Sequence, residues 1–488
     1  MHIPLKKCNF VQSLFDFGML KRKIESTLAQ WKNTPHRKPI VIKGIRQCGK
    51  TFIVRKFAED NYENVVYINF ILDPDKMIAF AGSKDVDTII LTLSAMMTDC
   101  RFVADKTCII LDEIQECKEA RTALKAFHLD GRFDVIATGS LLGVKGYGSK
   151  EDPKNEIYPH NVAAVSIPVG YETLVEMHPL DFEEFLWANG INDAVIDHVK
   201  KCFVDEVPVE PGIHKVMMDL LYRYVIVGGL PNVVNCYLET KNVELIYKLQ
   251  RDLIADYQED MVKYAPDSDK PHIRECFNSI PKQLAKVNKK FQYSVVKKGG
   301  RASQYAGSIQ WLEDAGIVNR CYNTQIPQLP LEGNAIMECF KLYTADIGIL
   351  MGMLNFGTQI DILQGNLLGY KGAIFENLMA DFLCKSDQML YYFQKDSGLE
   401  TDFLIRFKGE CVAVEVKAKT GKTKSLSTIL KNKAVYHVNS AFKLGQYNVG
   451  RDGEVLTLPL YMGFLIKDKL ADSIIPDIDL SLLDSLSH

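Results

Sequence analysis

The segment from residue 40 to residue 57, IVIKGIRQCGKTFIVRKF, constrains the fold of this chain more than any other part of the sequence. A short apolar run is followed by the pattern G-x-x-x-x-G-K-T over residues 44–51 and then by an amphipathic stretch. Gly44 and Gly49 let the backbone approach an anion closely, and the start of the following helix presents N–H groups to it. Because the pattern lies between a predicted strand and a predicted helix, it predicts a phosphate-binding loop.

The last two positions of this loop carry its charge chemistry. Lys50 supplies a positive charge for the β- and γ-phosphates of a nucleotide, and Thr51 supplies a hydroxyl for Mg²⁺. The expected cofactors are therefore ATP and Mg²⁺. The predicted nucleotide-binding residues are Gly44, Ile45, Arg46, Gln47, Cys48, Gly49, Lys50, Thr51, Phe52 and Ser140.

Two further strand ends supply polar groups. The run CIILDEIQ, residues 108–115, ends an apolar strand pattern in Asp112 and Glu113. There Asp112 can hold Mg²⁺, and Glu113 can orient or deprotonate an attacking water. The run FDVIATGS, residues 133–140, ends another strand in Thr138 and Ser140, whose hydroxyls either face the γ-phosphate or only mark a turn.

The composition limits which cellular compartment and which classes of partner are expected for this chain. A net charge of −3 excludes a strongly basic surface over the whole protein, although one domain can still carry a basic patch. The 12 cysteines form no C-x-x-C pair and no Cys/His cluster at zinc spacing, which favours reduced thiols in a cytoplasm. No run of about 18 apolar residues occurs, so neither a membrane-spanning segment nor a membrane partner is expected.

One basic segment stands out in this slightly acidic chain. Residues 276–312 contain no aspartate or glutamate, and they include aromatic residues and a helix-turn-strand pattern. These features predict a winged helix whose basic side, residues 282–301, contacts the phosphates of DNA. A basic face packed on an acidic neighbouring domain is an equally open alternative. The basic residues are Lys282, Lys286, Lys289, Lys290, Lys297, Lys298 and Arg301.

The last third of the chain carries an ordered set of carboxylates. Glu376 lies in the helix pattern GAIFENLMADFL and Asp402 in the strand pattern ETDFLIRF, while Glu415 and Lys417 lie two apart in VAVEVKA. Side chains two residues apart on a strand point to the same face, and Asp402 opens the neighbouring strand. Such a face can hold a divalent metal and position water at a phosphodiester, as restriction-type nucleases do. An ordinary cross-strand ion pair is the open alternative.

These segments resemble prokaryotic AAA-like P-loop ATP-binding proteins of the archaeal and STAND-type ATPase superfamily, whose C-terminal domain of unknown function has a PD-(D/E)XK nuclease-like core. The resemblance runs through GIRQCGKT, ILDEIQ, ATGSLLG, YVIVGGLPNVV, GRASQYAGSIQWLEDAGIV, GAIFENLMADFL, ETDFLI and VEVKAK. It implies ATP hydrolysis at the N-terminal site and a nuclease-like role for the C-terminal set. The catalytic residues expected are Lys50, Glu113, Asp402, Glu415 and Lys417, and the metal ligands are Thr51, Asp112, Glu376, Asp402 and Glu415.

The predicted fold class is α/β, with a P-loop NTPase parallel sheet, a helical and winged-helix-like middle, and a C-terminal restriction-endonuclease-like α/β domain. We place the domains at residues 1–215, 216–330 and 331–488, and a further strand candidate at residues 163–169. The predicted function is an ATPase coupled to a nuclease-like domain that acts on DNA through residues 282–301 and the C-terminal domain. The alternative is a nucleotide-gated interaction protein with a catalytically silent C-terminal domain. Assembly into a homo-oligomer is left open.

Overall fold

The first of two sheets is fully parallel. The structure, a computed structural model, describes residues 20–82, 85–140, 170–265, 269–364, 370–417 and 424–467. The strand order is β2-β3-β4-β1-β5, so β1 lies between β4 and β5. The predicted strand at residues 163–169 lies outside the described residues, and the strand that pairs with β1 there is β5. The strands are β1 (Ile40–Lys43), β2 (Asn64–Asn69), β3 (Thr107–Asp112), β4 (Asp134–Gly139) and β5 (Thr173–Glu176).

Helices cover both faces of this sheet, as the alternating sequence pattern predicts. Ile40 and Ile42 of β1 pack in one apolar cluster with α1 and α2, and Val41 packs in a second cluster with α3, α4 and α5. All six residues of β3 are buried, which is typical of a strand covered on both faces. The helices are α1 (Ile24–Asn33), α2 (Lys50–Asn61), α3 (Ile78–Ala81), α4 (Val86–Met96) and α5 (Lys118–Asp130).

The middle of the chain is helical. Its longest helix, α10, has 22 residues and buries one face against α9, α11 and α14. Across the described part of the chain, no helix combines the length and the apolar character that crossing a lipid bilayer requires. The helices here are α6 (Phe182–Ala188), α7 (Asp193–Asp205), α8 (Pro211–Val227), α9 (Pro231–Thr240), α10 (Val243–Tyr264), α11 (Lys270–Leu284), α12 (Tyr293–Val296) and α13 (Ala302–Asp314), followed later by α14 (Ile347–Met353), α15 (Gly357–Leu363), α16 (Lys371–Cys384), α17 (Lys424–Lys431) and α18 (Lys433–Tyr436). Short 3₁₀ turns occur at Pro74–Met77, Ile114–Glu116, Glu332–Asn334 and Leu460–Leu465.

The second sheet is mixed and has eight strands in the order β12-β13-β11-β10-β9-β8-β6-β7. The hairpin β6–β7 follows α13 and joins the later strands through parallel pairing of β6 with β8. The interpretation of residues 276–312 as a winged helix remains a prediction, and so do the domain limits at residues 215 and 330. The strands are β6 (Val318–Thr324), β7 (Ala335–Thr344), β8 (Leu390–Gln394), β9 (Glu400–Phe407), β10 (Glu410–Val416), β11 (Ser440–Gly445), β12 (Gly450–Asp452) and β13 (Val455–Pro459).

A buried polar cluster joins these parts of the chain. The ammonium of Lys385 donates to the hydroxyl oxygen of Tyr224 at 2.9 Å, to the carbonyl of Leu180 at 3.1 Å and to Asp346 at 3.0 Å. It also lies 2.9 Å from the carboxylate of Asp381. A charge removed from water this completely is tolerated because two carboxylates and two further acceptors surround it.

The glycine pair of the YVIVGGLP segment ends α8 beside this cluster. Gly228 has φ +74°, which an L side chain rarely adopts. The amide of Gly229 donates to Asp346 at 2.8 Å, and a Cβ at Gly229 would overlap the backbone of Leu180. Both glycines are therefore required by close packing between α8, the segment before α6 and the segment before α14.

Candidate functional site

The predicted phosphate loop lies between β1 and α2, as its sequence context requires. A Cβ at Gly44 would overlap the carbonyl oxygen of Met177, and Gly49 has φ +98° at the start of α2. Both positions therefore favour glycine. Ile45 and Cys48 are buried, whereas Phe52 is about one-third exposed. Ile45 and Cys48 therefore offer the loop their backbone groups rather than their side chains.

Lys50 and Thr51 occupy the first turn of α2, and both make bonds inside the site. The Lys50 ammonium is buried and donates to the carbonyl oxygens of Gly44 at 2.8 Å and Ile45 at 3.0 Å. The Thr51 hydroxyl lies 3.0 Å from the carboxylate of Asp112. The structure thus brings the loop and the end of β3 together.

The carboxylate of Asp112 accepts hydrogen bonds from four side chains of this site. It accepts from the Tyr67 hydroxyl at 2.7 Å and from the Asn69 amide at 2.9 Å, as well as from the hydroxyls of Thr51 and Thr138. Asn69 lies directly opposite Asp112 in the pairing of β2 with β3. No sequence motif marks Tyr67 and Asn69, although both lie near the carboxyl end of the neighbouring strand.

Glu113 has an unusual backbone conformation. Its φ is +54°, in the left-handed region that a non-glycine residue adopts only at a cost. Its carboxylate accepts from the Gln115 amide at 2.5 Å and from the Ser140 hydroxyl at 3.3 Å. The turn therefore directs Glu113 back toward the end of β4, and the predicted pair Glu113 and Ser140 is brought together.

Helix α10 contacts the phosphate loop directly. Arg46 forms an ion pair with Asp260, and the Gln47 amide donates to Asp256 at 3.1 Å. The Tyr257 hydroxyl donates to the carbonyl oxygen of Arg46 at 3.0 Å. Two predicted nucleotide-binding residues, Arg46 and Gln47, thus bond through their side chains to the helical middle of the chain.

Arg22, which precedes α1, makes a second set of contacts with the phosphate loop. The guanidinium of Arg22 is buried and donates to the carbonyl oxygens of Cys48 at 3.0 Å and His178 at 2.7 Å. It also pairs with Glu184 at 3.2 Å. No local motif marks Arg22, because its partners lie 26 or more residues away in sequence.

The C-terminal residues meet on the second sheet. Lys417 forms an ion pair with Glu415 at the end of β10, and the Val416 amide donates to Asp402 of β9 at 2.7 Å. Glu376 reaches this sheet from α16, which packs on β10. Glu376, Asp402 and Glu415 thus lie on α16, β9 and β10, and Lys417 directly follows β10. That the four side chains form one metal site stays a prediction.

Two lysines from outside the predicted set also enter this site. Lys289, from the basic segment, forms an ion pair with Glu376. Lys341 of β7 is fully buried, lies 3.9 Å from Glu376 and pairs with Glu400 at 2.8 Å. The Tyr343 hydroxyl donates to Glu376 at 3.3 Å. Glu376 is therefore fully engaged by cations and a hydroxyl of this chain.

Burial and neighbouring charges shift the pKa values of Asp402, Glu415 and Lys341. Burial, reinforced by the negative charges of Glu376 and Glu415, raises the pKa of Asp402 well above its usual range. Burial also raises the pKa of Glu415, although Lys417 opposes that shift. For Lys341, burial lowers the pKa, but the nearby carboxylates outweigh it and raise the pKa overall. The groups are therefore close enough to influence one another strongly.

The ligand oxygens of the three carboxyl groups do not, however, all lie within 4.8 Å of one another. Among the described residues, only His198, Cys202 and Glu210 form a group of three candidate ligands whose atoms all lie within 4.8 Å of one another. Glu376, Asp402 and Glu415 do not form such a group. In this structure, Glu376 and Glu415 bond to lysines, and Asp402 accepts from a backbone amide.

Three family models match consecutive parts of the chain. Residues 36–186 match the model described as an AAA domain, residues 218–360 match a domain of unknown function (DUF8612), and residues 371–461 match another (DUF4143). The first match, together with the parallel sheet and the loop between β1 and α2, defines a P-loop ATPase-like domain. No curated protein matches the chain.

Several solved structures are similar at low identity. The Walker-type ATPase PABY2304 of Pyrococcus abyssi is 14% identical, with a TM-score of 0.36 over 69% of this chain and 96% of that one. Aeropyrum pernix ORC1 in complex with DNA is 12% identical, with a TM-score of 0.28 over 71% and 91%. AMPPCP-bound DnaA from Aquifex aeolicus is 14% identical, with a TM-score of 0.27 over 64% and 93%. At such TM-scores the assignment of the domain rests on the family model and on the site itself.

Proposed function

We propose that this protein is an ATP-hydrolysing switch whose nucleotide state controls a nuclease-like site in the C-terminal part of the chain. The observation that carries the proposal is the 3.0 Å contact between the Thr51 hydroxyl and the Asp112 carboxylate, next to the Lys50 ammonium. Oxygen ligands of this kind suit Mg²⁺, and the ammonium suits phosphate. Mg²⁺ bound with ATP would neutralise charge that develops on the phosphates.

Each residue of the proposed nucleotide site has its own role. Lys50 would exchange the carbonyl oxygens of its own loop for phosphate oxygens, and the amides at the start of α2 would donate to the same phosphates. Thr51 and Asp112 would hold the metal, while Tyr67 and Asn69 keep the Asp112 carboxylate in place. Glu113 would take a proton from an attacking water, and the Ser140 hydroxyl, which donates to it at 3.3 Å, would orient it.

In this proposal, helix α10 transmits the effect of nucleotide binding to the rest of the chain. Arg46 and Gln47 bond to the carboxyl-terminal half of this helix, and its 22 residues span about 33 Å. Movement of the loop on nucleotide binding therefore displaces a helix that packs on α9, α11 and α14. Helix α11 leads directly into the basic segment.

One lysine of the basic segment reaches the carboxylate site. Lys289 pairs with Glu376, and its charge also acts on Asp402. A polyanion held by the lysines would place its phosphodiester beside the carboxylates. This arrangement supports DNA as the target and Mg²⁺-dependent phosphodiester cleavage as the chemistry.

One observation favours a second candidate function. Glu376 and Glu415 bond to lysines of this chain, and the three carboxylates are not gathered within 4.8 Å. A domain with its carboxylates neutralised in this way suits a silent docking platform in a nucleotide-gated interaction protein. In that case ATP binding changes the partner and nothing is cleaved.

The deciding experiment measures ATP turnover and DNA cleavage in the same preparations. Wild type, Lys50→Ala and Asp402→Ala are assayed with Mg²⁺ or Mn²⁺, with no DNA, single-stranded DNA or double-stranded DNA. We expect Lys50→Ala to lose ATP turnover and Asp402→Ala to lose cleavage while keeping turnover. Unchanged turnover in Lys50→Ala would overturn the ATPase assignment. Equal DNA integrity with wild type and Asp402→Ala would favour the silent platform.

A further inference from the structure

A cluster of three different metal-binding side chains lies outside both sites described above. His198 and Cys202 are four residues apart in α7, so they lie on the same face of that helix. The chain then turns at Glu206, which has φ +56°, and runs back until Glu210 faces His198. This H-x-x-x-C spacing differs from the pairs typical of structural zinc sites, so the sequence alone does not mark it as a metal site.

The distances suit a small transition-metal ion. His198 Nε2 lies 2.6 Å from a carboxylate oxygen of Glu210 and 3.5 Å from Cys202 Sγ, and all three ligand atoms lie within 4.8 Å of one another. Tetrahedral zinc with ordinary bond lengths separates its sulfur and nitrogen ligands by about 3.5 Å. The Glu210 side chain is 61% exposed and can therefore move back by the small amount that a bound ion requires.

The chemistry of the ligand set selects the kind of ion. Thiolate, imidazole and carboxylate together suit Zn²⁺ or Co²⁺, whereas Mg²⁺ and Ca²⁺ prefer oxygen ligands alone. We propose that His198, Cys202 and Glu210 bind one zinc-type ion, with water in the fourth position. The ion binds the Cys202 sulfur as the thiol proton leaves to solvent, and it replaces the hydrogen bond between His198 and Glu210.

The surroundings indicate a structural purpose for this site. The connector that carries Glu210 is docked on the second sheet. There the Val209 amide donates to Asn448 at 2.9 Å, and Glu206 pairs with Arg451. A bound ion would tie α7 to this connector and so stabilise the contact between the ATPase-like part and the C-terminal part.

Cobalt substitution tests the site directly on the full-length chain. Reduced, chelator-treated protein is titrated with Co²⁺, and the thiolate-to-cobalt charge-transfer band in the near ultraviolet is recorded. We expect one equivalent of Co²⁺ to produce the band and Zn²⁺ to remove it. The nucleotide site cannot give this signal, because its expected metal ligands are oxygens.

Three variants complete the test. Cys202→Ser should lose the band, whereas Cys236→Ser, a change at a partly buried helical cysteine, should keep it. Loss of a group that only supports a metal ligand costs about 10- to 100-fold in affinity, so Glu210→Gln, at an exposed carboxylate, should weaken Co²⁺ binding at least about tenfold. This variant decides the question even if Cys202→Ser fails to fold. Absence of the band in wild type, a band in folded Cys202→Ser, or wild-type affinity in Glu210→Gln would overturn the proposal.

Discussion

The hydroxyl of Tyr67 donates a 2.7 Å hydrogen bond to the carboxylate of Asp112. It fixes the carboxylate from the neighbouring strand while the Thr51 hydroxyl approaches from the loop. Tyr67 is thus a positioning residue for the candidate magnesium site, although no part of the loop motif includes it.

We expect Tyr67→Phe to raise the Mg²⁺ concentration required for ATP turnover by about 10- to 100-fold, because groups that orient a metal ligand have effects of this size. The Mg²⁺ dependence of turnover measures the change. Tyr62→Phe is the matched control, since it removes a 2.7 Å hydrogen bond to Asp134 instead. If both variants require the same Mg²⁺ concentration as wild type, Tyr67 does not position Asp112.

Substitution of Glu113 should separate nucleotide binding from hydrolysis. Glu113→Gln keeps the shape of the side chain but removes the base, so turnover should fall by about 10²- to 10⁴-fold while ATP still binds. Fluorescent-nucleotide binding and phosphate release, measured side by side, check both parts. Glu59→Gln, at an exposed position on α2, should behave as wild type. Equal turnover in Glu113→Gln and wild type would assign the base elsewhere.

Lys289 should contribute to DNA affinity through its charge. Removal of one lysine that contacts a phosphate lowers the slope of log affinity against log salt by about 1. We therefore expect Lys289→Met to bind DNA more weakly at low salt and with this shallower slope. Lys248→Met, on the exposed face of α10, is the control. A slope identical to that of wild type would show that Lys289 serves only as the partner of Glu376.

The buried polar cluster should make stability depend on pH. Burial raises the pKa of Asp381 to about 7, with Lys385 opposing and Asp346 reinforcing the shift. An unfolded aspartate has a pKa of about 3.9, so between about pH 4 and 7 the folded state holds a proton that the unfolded state has lost. The free energy of unfolding should therefore fall as pH rises through this window.

Asp381→Asn cannot ionise and should show a smaller fall over the same window. Chemical denaturation at several pH values measures the slope for wild type and variant. Asp396→Asn, at an exposed position, should keep the wild-type slope. A steep fall in Asp381→Asn equal to that of wild type would assign the pH dependence to another group.

Contacts between residues that are close together in the sequence could be predicted, whereas most contacts between distant segments could not. Lys50, Thr51 and their glycines belong to one strand-loop-helix unit, and the apolar run before Asp112 identifies it as the end of a buried strand. The meeting of these two units was predictable because parallel strands present their carboxyl ends at one edge. The two-residue period of a strand likewise predicts that Glu415 and Lys417 lie on one face.

Partners that come from distant segments carry no such signal. Arg22, Asp256 and Asp260 reach the loop only through packing of α1 and α10, and nothing in their neighbouring residues marks that role. The sequence shows that Lys289 is basic, but its pairing with Glu376 depends on the packing of α11 and α16 against β7. Tertiary contacts of this kind require the relative placement of elements, which local periodicity does not contain.

The bonds from α10 to the phosphate loop also have a thermodynamic consequence. Arg46 and Gln47 bond to Asp260 and Asp256. If ATP binds as proposed and its phosphates contact these two side chains, they would compete with the two carboxylates. Binding free energies of linked sites are reciprocal. Any partner that draws α10 away from the loop must therefore change the affinity for ATP by the same factor by which ATP changes the affinity for that partner. Nucleotide affinity alone can thus reveal the partner's presence, even in an assay in which the partner itself is never observed.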